Sequence, residues 1–87
     1  MEVGNSTDTD AQYSVKGGGM PLDPPGPPEW RDLPAGTVME HPDKLPGISP
    51  WTVTFLVEGR KIPVRVQSPS GKAVLLGNNG SLNAVAS

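Results

Sequence analysis

Cysteine is absent from this 87-residue chain. No disulfide can staple it, and no thiolate can hold a metal. Aromatic residues make up only 5% of the sequence and hydrophobic residues 34%. No apolar run approaches the roughly 20 residues of a membrane-spanning helix. The opening MEVGNSTDTD is acidic and polar, unlike a secretory signal. The expectation is a soluble protein made inside the cell without a signal peptide.

Glycine and proline are abundant, 11 of each. That composition lies close to low-complexity segments. The length allows one small domain at most. The net charge of −2 hides an asymmetry: residues 1–50 carry eight carboxylates against three cations, and residues 51–87 carry one against four. The halves attract weakly, or each prefers a differently charged partner.

Three segments follow. Residues 1–20 hold Val3, Tyr13 and Val15 among Asn, Ser, Thr, Asp and Gly. They are expected to be a flexible acidic tail, because little apolar area is there to offset the ordering entropy. Residues 21–50 hold nine of the eleven prolines. Helix is excluded, and an extended proline-rich strap is expected. It would turn at Pro34-Ala35-Gly36 and Pro46-Gly47, with a very short strand near Thr37–Glu40. Residues 51–87 are read as a small β-meander.

The clearest pattern is WTVTFLVEGRKIPVRVQ, Trp51–Gln67. Glu58-Gly59 supplies a two-residue turn. It sets Val57 against Arg60, Phe55 against Ile62, Val53 against Val64 and Trp51 against Val66. Alternation puts these side chains on one face, apolar except for Arg60. A one-residue slip would set Phe55 and Val53 against lysine, proline and arginine. Ser68-Pro69-Ser70-Gly71 is read as a loop with left-handed Gly71, returning Lys72–Leu76 antiparallel to the second strand. On that edge Pro63 should end the pairing. Ser81–Ala86 is a weak fourth strand. The expected fold is therefore small and all-β: an antiparallel meander of three or four strands, a long extended Pro/Gly-rich N-terminal arm, and almost no helix.

Catalytic and metal motifs are thin. His41 is the single histidine, between Glu40 and Asp43, without convergent ligands in the pattern. Asp8 and Asp10 lack the spacing of a calcium loop. No serine lies in G-x-S-x-G, and Gly17–Gly19 lacks the end of a phosphate loop. Asn5-Ser6-Thr7 and Asn79-Gly80-Ser81 match a glycosylation acceptor by chance in polar loops. Pro24–Pro28 carries two P-x-x-P spacings with Arg31 one position too late for the usual basic residue. No enzyme, cofactor, metal or small-molecule substrate is expected.

A meander this small does not cover its own apolar face. Trp51, Val53, Phe55, Ile62, Val64 and Val66 are therefore expected to bind a partner, helped by Trp30, Leu33, Met39, Leu45 and Ile48 of the arm. The plan resembles, by architecture alone, capsid cement or decoration proteins and minor virion proteins. The expected function is a non-enzymatic structural component of a protein assembly, virion included, lacing neighbouring subunits or copies of itself. The alternative is a small binding module or inhibitor acting on nucleic acid or an acidic protein through Arg60, Lys61, Arg65 and Lys72.

Overall fold

The computed structural model describes residues 1–18, 29–78 and 80–87. They form eight strands: β1 (Glu2–Asn5), β2 (Ala11–Gly18), β3 (Arg31–Leu33), β4 (Val38–Glu40), β5 (Ile48–Val57), β6 (Arg60–Val66), β7 (Lys72–Asn78) and β8 (Ser81–Ala86). The strands make two sheets, ordered β4-β1-β7-β8 and β3-β2-β5-β6. Their inner faces enclose one core. The all-β class holds; the architecture is a sandwich and not a meander.

The β5–β6 hairpin has the register its pattern predicts, from Trp51↔Val66 to Val57↔Arg60. Its turn takes positive φ at both central residues, 50° at Glu58 and 78° at Gly59. This suits the right-handed twist of the flanking strands.

β7 corrects the meander. It does not return along β6 but crosses to the other sheet, where it pairs parallel with β1 and antiparallel with β8. Pro63 on β6 cannot donate to a ladder, so β6 suits a sheet edge. The crossing is made through Gly71, whose φ is not positive. A Cβ there would lie 2.5 Å from Val66 Cγ1. Close packing at the corner, and not a left-handed turn, is why glycine stands at this position.

The N-terminal residues correct the flexible tail. β2 is an inner strand hydrogen-bonded to both β5 and β3, and β1 lies between β4 and β7. Ala11, Tyr13 and Val15 alternate with Gln12 and Ser14, a period of two that points one set inward. Met1, Val3 and Asn5 do the same. Val3 and Tyr13 are completely buried. Ordering entropy is offset by ladder hydrogen bonds and by burial against the hairpin, neither of which the segment has alone.

The proline-rich segment is also partly absorbed. β3 and β4 are short edge strands joined by a turn at Pro34–Thr37, closed by Thr37 N–H donating to Pro34 O at 3.1 Å. The P-x-x-P stretch at 24–28 lies outside the described residues.

Candidate functional site

The face expected to bind a partner is the core. Val53 and Phe55 are fully buried, and Trp51 and Val66 nearly so. Ile62 and Val64, half-buried, pack on the same cluster. The cover comes from this chain's own Met1, Val3, Ala73 and Leu75 on the opposite sheet. The sequence pattern alone leaves this face open, because an expected flexible tail offers no strand to cover it.

The arm residues divide. Leu33 is buried in β3, and Met39 and Leu45 pack against the core. Trp30 is half-buried, and Ile48 is 66% exposed. The basic group divides too. Lys61 and Arg65 share the outer face of β6, in register with Leu56 and Thr52 of β5. Thr52 pairs in turn with Lys16 of β2. Arg60 lies at the hairpin tip. Lys72 is on the other sheet, with Nζ 3.3 Å from Glu2 Oε1.

His41 does not stand alone. Its Nδ1 lies 2.8 Å from Tyr13 Oη, and the rings meet edge-on at 5.7 Å. Arg31 reaches over them to Glu29 and Asp43. Burial holds the His41 pKa below the usual histidine value, reinforced by the Arg31 guanidinium and the N-terminal ammonium and opposed by Glu29 and Glu40. Burial also raises the Tyr13 phenol, against a lowering by Arg31. Both groups are thus held neutral, which lets the phenol donate to a neutral imidazole. Through this bond the 41–47 loop is fixed to β2.

At one end of the sandwich the β1–β2, β5–β6 and β7–β8 turns border an open cleft of about 460 Å³, lined by Ser6, Thr7, Asp8, Glu58, Arg60 and Ser81 among others. Asp10 and Asn5, next to the lining segment 6–9, support the fold. Asp10 accepts from Ala35 N–H at 3.0 Å. Asn5 is buried and makes four bonds: Nδ2 donates to Thr9 O and Leu33 O, and Oδ1 accepts from the Thr7 N–H and hydroxyl. Among the described residues no three His, Asp or Glu side chains converge as a metal site.

The outer face of the β4-β1-β7-β8 sheet is different. The ladder pairs Glu40–Glu2–Lys72 in one row and Val38–Gly4–Val74–Val85 in the next. Leu76 and Asn83 follow. Val38 is 60% exposed and Val85 42%. Between them Gly4 has no side chain, and Val38 and Val74 close toward the gap: a Cβ on Gly4 would lie 3.3 Å from Val38 Cγ2. The result is an apolar band across all four strands, bordered by charge on one side. Sequence reasoning missed it because its members come from four separate segments. The signal that was available is the two-faced apolar run Val74-Leu75-Leu76. Leu75 is buried inward, so its neighbours must point out.

Comparison with protein-family models, with curated proteins and with solved structures finds no match to this chain.

Proposed function

We propose that this chain is a non-enzymatic structural subunit of a larger protein assembly, which it joins through the outer face of the β4-β1-β7-β8 sheet. One observation carries the reading: the Val38–Gly4–Val74–Val85 row is apolar across the full width of the sheet, with its two ends exposed. Burying such a band is favourable by about 25 cal/mol per Å², and contiguous apolar surface of this kind marks interaction sites. The finer reading, a minor virion or capsid decoration protein, rests on the analogy of plan alone. Lacing by an extended arm is no longer part of it for residues 31–33 and 38–40, which are strands of the sandwich itself.

Size in a native extract, cross-linked before dilution so that weak contacts are retained, is the test. The chain should elute well above its own 9.1 kDa. The double variant Val38→Asp, Val85→Asp, with an unchanged circular dichroism spectrum, should fall to the monomer position. Elution of the unaltered chain at 9.1 kDa would end the proposal.

A second reading is favoured by Lys61 and Arg65, exposed on one face beside Thr52 and Thr54. It is an anionic partner, nucleic acid or an acidic protein. Binding to an oligonucleotide or a polyacidic peptide should then weaken with salt and vanish on charge reversal at both positions. A zero salt slope removes this reading.

A further inference from the structure

We propose that the partner on this outer face is a second copy of the same chain, stacked face to face about a two-fold axis that runs parallel to the strands between β1 and β7. The inference rests on the reading of this face as an assembly surface, and it adds the occupant and the geometry.

Charge complementarity selects both. A two-fold axis parallel to the strands keeps each cross-strand row at its own height and reverses the order of strands. β1 then faces β7 of the second copy, and β4 faces β8. In the charged row, Glu2 meets Lys72 of the second copy, and Lys72 meets its Glu2. Each forms the opposite-charge pair that Glu2 and Lys72 already make within one chain at 3.3 Å. In the apolar row, Val38 meets Val85, and Val74 meets Gly4, the one position of that row without a side chain.

The competing axis lies in the interface but perpendicular to the strands. It would reverse the rows but keep each strand over its own copy, so Lys72 would meet Leu76 and Glu2 would meet the far end of β1, and neither would find an opposite charge on the second copy. Covering the Glu2–Lys72 pair with a surface that offers no complementary charge is less favourable than meeting its two-fold counterpart. The isologous arrangement parallel to the strands is the one in which a single patch satisfies itself twice.

The face is small. Four strands at about 4.8 Å spacing span roughly 19 Å, so the interface lies at the weak end of specific contacts. Dissociation constants on the order of 10–1,000 µM are expected, which sets the concentrations to use.

Sedimentation of the purified full chain up to about 1 mM should show a monomer–dimer equilibrium. Glu2→Lys and Lys72→Glu, each alone, should weaken dimerisation at least about tenfold, because each makes both facing pairs like-charged. Mixing the two variants should restore it, since Lys at position 2 of one then faces Glu at position 72 of the other, and Lys72 of the first faces Glu2 of the second. The pair within each chain stays like-charged on mixing, so only contacts between copies can account for the rescue.

A second measurement does not depend on those variants. The chain has no cysteine, so Val38→Cys mixed with Val85→Cys in air should give the mixed disulfide in preference to either homodimer. An unaltered chain that stays monomeric at 1 mM yet elutes large from native extract overturns the second copy while leaving the assembly reading intact. A monomer in both overturns both. A dimer without rescue on mixing, or without the mixed disulfide, overturns the geometry.

Discussion

The indole N–H of Trp51 donates to the backbone carbonyl of Pro46 at 2.9 Å. The same carbonyl occupies the space where Gly17 would carry a side chain: a Cβ on Gly17 would lie 1.9 Å from it and 2.8 Å from Gly47 Cα. One oxygen therefore ties the 41–47 loop to the hairpin and presses it onto β2.

Gly17→Ala is thus expected to be among the most damaging small substitutions. The clash is with backbone and cannot be relieved by a rotamer. A loss of about 3 kcal/mol or more is expected by urea denaturation, at the high end for single substitutions. Gly36→Ala is the control. Gly36 has open space around it but φ of +71°, so the cost should be only about 1–2 kcal/mol.

Tyr13 and His41 set the pH dependence. The folded-state pKa of His41 is depressed, so between that value and about 6.5 the unfolded chain binds more protons than the folded one. Stability is then fully present above about pH 6.5 and falls as pH drops below it. Tyr13 is raised, so stability should also fall above about pH 10, where the unfolded chain ionises first. Melting temperatures from pH 5 to 11 should form a plateau with losses at both ends. His41→Gln should flatten the acid side, and Tyr13→Phe the alkaline side. An unchanged acid slope in His41→Gln would rule out this assignment.

Asn5 should resist every substitution. It is 1% exposed, and both ends of its amide are satisfied. Asn5→Leu would take the amide donor from the Thr9 and Leu33 carbonyls and the acceptor from the Thr7 N–H, and only Thr9 O keeps a second donor, the Thr7 hydroxyl; the cost is about 1–3 kcal/mol for each group left unpaired. Asn5→Asp keeps the shape but sets a carboxylate against the same two carbonyls, and should be no milder. Denaturant midpoints of the two variants test this; a neutral Asn5→Asp would contradict it.

Glu58 offers a gain. It is a non-glycine residue with positive φ, a conformation Asn tolerates better. Glu58→Asn should stabilise by about 0.5–1 kcal/mol and leave the hairpin register unchanged. A loss of stability would show that the carboxylate has a role in the adjoining cleft.

The all-β class, the β5–β6 register and the turns at Pro34–Gly36 and Glu58-Gly59 are legible in the amino-acid pattern. These are local: alternation and turn chemistry act between residues near in the chain. Where β1, β2 and β7 pair depends on contacts between distant segments. β1 and β2 have too few apolar residues to declare themselves, and they become strands because the hairpin face needs a cover and offers a ladder. β7 could pair with either sheet by pattern; Pro63 on the near edge and the packed corner at Gly71 send it across. For the same reason the Trp51–Val53–Phe55 face, legible as apolar, was not legible as core. Of the Val38–Gly4–Val74–Val85 band only the two-faced run Val74-Leu75-Leu76 is visible in the pattern, because adjacency across four strands is a property of register between distant segments.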